Sequence, residues 1–169
     1  TVVQEPPSDS EALAAFLAGV LAMNRGDQVE ATAAFERAVK ADPDAAPLHQ
    51  RLAALYIRQG QLADALEHCQ AAVRLDPDDV NSRLLLADVL STLGRDADAI
   101  REYQAVLALD PDQEQARLLL GVLYAKQRDF AQAEATLTYL TARDPGSFLG
   151  YYYLGRVYMA AQRFEKAEA

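Results

Sequence analysis

The chain has 169 residues, with 25 acidic against 16 basic side chains, a net charge of -9 and a single cysteine. A charge of this sign repels phosphate backbones and anionic lipid surfaces, which argues against nucleic acid as a partner. One cysteine rules out an intramolecular disulfide, and the longest apolar run, the twelve residues from Ala12 to Met23, is too short to cross a bilayer, so no direct membrane insertion is expected.

Residues 1–10 (TVVQEPPSDS) mix prolines, acids and serines without apolar periodicity. They predict a flexible leader in which Ser8, Asp9 or Ser10 caps the first helix. From residue 11 to 169 a single all-α array is expected, built from helix pairs over 12–45, 46–79, 80–113 and 114–147 and a partial pair over 148–169. Thr1 at the start and the halt partway through the fifth pair suggest that both ends are cuts.

The ruler for these units is a set of Asp-Pro steps, Asp42-Pro43, Asp76-Pro77, Asp110-Pro111 and Asp144-Pro145, spaced 34 residues apart. Proline lacks a backbone N–H and pushes the residue before it out of the α region, so each step ends a helix at the same point in its unit. A second break falls mid-unit, at Asn24-Arg25-Gly26-Asp27, Arg58-Gln59-Gly60-Gln61, Thr92-Leu93-Gly94-Arg95 and Lys126-Gln127-Arg128-Asp129. Glycine in three of the four suits a turn from one helix into the next.

In this register small residues align with small ones. Gly19, Ala53, Ala87, Gly121 and Gly155 form one column, and Ala31, Ala65, Ala99, Ala133 and Ala167 another. Both predict close approach of two helix backbones, with Phe35, Cys69, Tyr103 and Leu137 as the facing residues from the second helices. Ala18, Leu52, Leu86, Leu120 and Leu154 lead four residues on to Ala22, Tyr56, Leu90, Tyr124 and Tyr158, so both columns share one helical face.

A helix-turn-helix unit of 34 residues with Leu-Gly or Leu-Ala, then Tyr, then Ala and a closing Pro resembles the tetratricopeptide repeat (TPR). The match is clearest at Leu120-Gly121, Tyr124, Ala133 and Pro145, and it extends over about residues 12–169. The aromatic residue that usually opens the motif is replaced by Ala15, His49, Arg83 and Arg117, and only Tyr151 keeps it, which predicts looser packing of the first helices. The resemblance implies a right-handed superhelical solenoid whose first helices line a concave groove for peptides or helices of other proteins. It implies a binding module and not an enzyme; no catalytic constellation stands out in the residues, and no cofactor is expected.

The groove face of the first helices carries Phe16, Val20 and Met23 in unit one, at i, i+4 and i+7. The matching triplets are Gln50, Ala54 and Ile57; Leu84, Asp88 and Ser91; Leu118, Val122 and Ala125; and Tyr152, Arg156 and Met159. The expected partner-binding set is therefore Phe16, Val20, Met23, Ile57, Arg58, Leu84, Leu118, Val122, Lys126, Tyr152 and Arg156. Mostly apolar side chains favour a hydrophobic peptide or an amphipathic helix, and Arg51, Arg58, Lys126 and Arg156 would accept acidic flanks. Packing of the same side chains against the neighbouring unit is the competing reading. Where chaperone-binding relatives clamp a terminal carboxylate, Phe16, Val20, Arg51, Asn81 and Leu85 stand instead; where sugar-transferase arms carry an asparagine ladder, Leu17, Arg51, Leu85, Leu119 and Tyr153 stand.

Three further signals are weak. Arg25-Gly26-Asp27 spells an adhesion tripeptide but occupies a recurring turn. His49, His68 and Cys69 cluster in unit two, but His49 and His68 lie on different helices and no acid completes a metal site. Tyr151, Tyr152 and Tyr153 should point to the core, the groove and the junction with unit four respectively. Apolar residues at the C-terminal end, Tyr153, Tyr158 and Phe164, predict weak self-association there. The favoured function is a scaffold within a bacterial envelope, secretion or polymer-export assembly, in the cytoplasm or periplasm, with the leader suited to a membrane tether. The alternative is a regulatory or substrate-recruiting arm of a larger enzyme.

Overall fold

The computed structural model describes residues 9–163, so the leader up to Ser8 and the residues Phe164 and Ala167 lie outside it. Among the described residues there are nine helices and no strand: α1 (Asp9–Asn24), α2 (Gln28–Ala41), α3 (Ala46–Gln59), α4 (Leu62–Leu75), α5 (Val80–Thr92), α6 (Asp96–Leu109), α7 (Glu114–Lys126), α8 (Phe130–Arg143) and α9 (Phe148–Ala160). They group into two compact bodies, one ending at Leu93 and holding α1–α5, the other starting at Gly94 and holding α6–α9.

The Asp-Pro steps end helices by the same device each time. The backbone N–H groups of Asp42, Asp76, Asp110 and Asp144 close the last helical turn onto Ala38, Ala72, Val106 and Leu140 at 2.8–2.9 Å. Each carboxylate then turns back to accept the N–H two residues on, from Asp44, Asp78, Asp112 and Gly146, at 2.9–3.3 Å. The aspartate thus forms an Asx turn across the proline, which itself has no N–H to satisfy.

Within the first body α1 packs on α2 and α3 on α4, while α3 also meets α2 and α5. Ala31, Ala53, Ala65 and Ala87 have no exposed surface, and Phe35, Leu52 and Cys69 are almost wholly buried beside them. A Cβ on Gly19 would stand 2.9 Å from the Phe35 ring, so the glycine makes room for the aromatic. Phe16 lies edge-on to Phe35 at 5.8 Å between centroids.

The second body repeats the scheme, with α7 on α6 and α8, and α9 on α7 and α8. Its core at this end is Ala133, Leu137, Leu140, Leu154 and Val157, with Leu118, Tyr124, Ala125, Phe130, Tyr153 and Tyr158 packed around it. Tyrosines of the first helices tie back to the helix preceding their own. The Tyr56 hydroxyl donates to Glu36 at 2.6 Å, the Tyr124 hydroxyl accepts from Gln104 at 2.7 Å, and the Tyr158 hydroxyl donates to Glu134 at 3.1 Å.

One expectation is corrected. Three of the four residues that replace the motif's opening aromatic, His49, Arg83 and Arg117, do not loosen the first helices; they anchor them. His49 Nε2 donates to the Pro43 carbonyl at 2.9 Å, Arg83 to that of Pro77 at 2.7 Å and Arg117 to that of Pro111 at 2.6 Å. Each bond spans six residues and fastens the start of a first helix to the proline before it.

Candidate functional site

In the first body the expected groove residues fall into two groups. Phe16, Val20 and Ile57 are half-buried, Met23 and Arg58 are exposed, and Leu84 is buried, which makes it a core residue and not an open anchor. The Arg51 guanidinium rests over the Phe16 ring, 5.5 Å from its centre, so this cation is engaged with the aromatic face.

In the second body the same face contains a cavity of about 370 Å³ lined by Val122, Ala125 and Lys126 of α7, Leu137 of α8, and Tyr153, Arg156, Val157 and Ala160 of α9. Helical spacing explains the set: residues three and four apart on α7 and on α9 face each other, and Leu137 closes the floor. Three expected residues, Val122, Lys126 and Arg156, meet here. Leu118 instead packs against the core cluster, and Tyr152 lies outside the cavity, half exposed and stacked on Phe148 at 6.1 Å. The lining residues of α9 that the sequence reading missed, Tyr153, Val157 and Ala160, stand one step around the helix from the expected triplet; their own spacing of four and three was the available signal.

The two cations at this cavity differ in their state. Lys126 Nζ pairs with Asp96 Oδ2 at 2.7 Å, and Asp96 is largely enclosed, its Oδ1 buried without a hydrogen-bond partner. Arg156 has no carboxylate partner among the described residues; its guanidinium lies 5.8 Å from the ring centres of both Tyr152 and Tyr153. Those rings meet edge to face at 5.1 Å. The tyrosine run therefore points differently from expectation. Tyr153 does reach the junction with α7 and α8, but Tyr151 is about half exposed and stays out of the core. It occupies the column of His49, Arg83 and Arg117 without their bond to the preceding proline.

Elsewhere the weak signals resolve. Gly26, between Arg25 and Asp27, has φ +76° and lies in the turn between α1 and α2, where Asp27 caps α2 by accepting the Glu30 N–H at 3.0 Å. His49 and His68, distant in sequence, touch through their Nδ1 atoms at 2.9 Å. Because the Pro43 carbonyl can only accept, His49 Nε2 carries its proton and His49 Nδ1 accepts from His68. The Tyr56 ring stacks on His68 at 5.6 Å. Burial, with a smaller contribution from Asp88, pushes the Cys69 thiol up to about 12, so it sits as a neutral apolar group. Among the described residues no three His, Cys, Asp or Glu side chains are placed to hold a metal, and no helix is long and apolar enough to cross a membrane.

The tetratricopeptide repeat family model matches residues 22–87, 57–123, 94–147 and 124–169. The chain belongs to that family and is an all-α repeat protein of its solenoid class. Its fold is similar to a crystal structure of MamA, with a TM-score of 0.90 at 22% identity over 95% of this chain and 88% of that one. MamA residues 41 to the end from Desulfovibrio magneticus RS-1 gives 0.86 at 17% identity, covering 96% and 91%. YrrB, described as a TPR protein with an unusual peptide-binding site, gives 0.84 at 22% identity, covering 94% and 82%. No curated protein matches by sequence.

Proposed function

We propose that this chain is a non-catalytic interaction module that holds a hydrophobic peptide or amphipathic helix of a partner protein on the faces of its first helices, within a bacterial multiprotein assembly. The observation that carries the reading is the cavity between α7 and α9, with its apolar floor and cationic rim. A folded protein leaves such a concave apolar space open where something else fills it. In the first body Phe16, Val20, Met23, Ile57 and Arg58 are proposed as a partner-binding face of that body, and the peptide-binding site of YrrB supports such use of the fold. The general character of TPR proteins as scaffolds supports the absence of catalysis.

The test is selection from a random-peptide display library, followed by amide chemical-shift mapping of the selected peptides on the wild-type protein. Shifts concentrated on α7 and α9, and loss of binding in a folded Val122→Glu variant, are expected. Peptides that shift only the outer faces of α6 and α8 would sink the proposal, whether or not the variant folds.

A further inference from the structure

We infer that the cavity between α7 and α9 recognises one apolar side chain with a single carboxylate beside it, and that Arg156 is the residue that reads the carboxylate. This inference rests on the reading of the cavity as a peptide site and adds the chemistry of the peptide.

The apolar half follows from the lining. Leu137 and Val157 have almost no exposed surface, Val122 is half-buried, and Ala125 and Ala160 contribute only methyl groups. At about 370 Å³ the cavity is near the lower end of ligand pockets, which run from roughly 300 Å³ upward. That suits one or two side chains of a segment better than a whole helix face.

The acidic half follows from the difference between the two cations. Lys126 is committed, since moving it toward a ligand would leave the enclosed Asp96 carboxylate without its counter-charge. Arg156 is held by the faces of two tyrosines and by no carboxylate among the described residues, so the N–H edge of its guanidinium is available to a ligand. The cation–π contacts with the two rings restrict the guanidinium before the ligand arrives, and a planar fork of donors matches a carboxylate in two-point contact.

The number of acids follows from the whole chain. With a net charge of -9, a polyacidic segment would be repelled on approach, and the cavity offers only one uncommitted cation. The partner segment therefore carries one Asp or Glu next to its apolar anchor and is otherwise neutral or basic.

The library selection is run in parallel on wild type, Arg156→Gln and Arg156→Glu. Arg156 is an exposed surface position, so both variants should fold. Wild type should enrich an apolar residue with Asp or Glu within two positions, Arg156→Gln should lose the acidic preference, and Arg156→Glu should exchange it for Lys or Arg. For one wild-type binder, replacing the acid by its amide should weaken binding about tenfold on wild type and leave Arg156→Gln unaffected, the usual scale of a hydrogen bond to a charged group. Binders that map to α7 and α9 but show no acidic preference, or keep it in Arg156→Gln, overturn this inference and leave the peptide site standing. Binders that map elsewhere overturn both.

Discussion

Arg117 and Pro111 are joined by a hydrogen bond of 2.6 Å from the guanidinium to the proline carbonyl, and the same link recurs between Arg83 and Pro77 and, through imidazole, between His49 and Pro43. The proline ends one helix, and its carbonyl would otherwise face solvent at the joint between two units. A long or polar side chain on the first turn of the next helix reaches back to it, and Arg117 also lies flat on the Tyr139 ring at 3.6 Å. Two units are thereby fixed at their hinge by a local contact.

Arg117→Met should keep much of the side-chain volume and lose the bond. The expected cost is about 1 kcal/mol in urea unfolding, the net value of a typical internal hydrogen bond. Arg117→Lys should recover little, because an ammonium does not reproduce the flat contact with Tyr139. A midpoint unchanged in both variants would show that the link is decorative.

This column shows where the sequence was legible and where it was not. The Asp-Pro spacing and the small-residue columns translate into helix ends and buried contacts between paired helices, with the Phe35 and Leu137 side chains taking the space left at Gly19 and Gly121. Ala31, Ala65, Ala99 and Ala133 all lost their surface as expected. The role of His49, Arg83 and Arg117 was hidden because it depends on side-chain reach across a turn and not on residue class. Leu84 was misjudged for a related reason: a groove position and a buried one differ by a modest rotation about the helix axis. The pairing of His49 with His68 depends on α3 and α4 lying side by side, which no local pattern states.

The turns between paired helices make a second prediction. Gly26, Gly60 and Gly94 adopt φ of +74° to +76°, and the column continues with Arg128 at +63° and Gln162 at +59°. Residues with a side chain reach this left-handed region at a cost that glycine avoids. Arg128→Gly should therefore stabilise the protein by about 0.5–1 kcal/mol, and Gly60→Ala should destabilise it by about 1 kcal/mol although nothing stands within 4 Å of the added methyl. Thermal unfolding of the two variants should shift in opposite directions; a downward shift in both would contradict the assignment.

Gly121 tests the close approach of α7 and α8. A Cβ built there would stand 2.7 Å from Leu137 Cγ, well inside contact distance, and Leu137 is fully buried at the floor of the cavity. Gly121→Leu should cost on the order of 1–3 kcal/mol by overpacking. Pairing it with Leu137→Ala should recover part of the loss, because the smaller partner returns the space. If the double variant is as unstable as the sum of the singles, the two side chains do not compete for one volume.

The histidine pair predicts how stability depends on pH. The His68 pKa is lowered from its ordinary 6.5, first by burial and then by the neighbouring His49, with Glu67, Asp64 and Glu36 pulling the other way. The unfolded chain therefore binds the His68 proton more readily than the folded one. Stability from this site is complete above about pH 6.5 and declines as pH falls from there toward the lower folded-state value, below which it levels off. The first proton can be shared along the Nδ1 contact, but a second would set two N–H groups against each other. His68→Gln can still donate to His49 Nδ1 and has no titrating ring. Its urea midpoint should vary less than that of wild type between about pH 7 and 5.5, a window above the range in which most carboxylates titrate. Parallel curves for the two proteins across that window would assign the pH response to other groups.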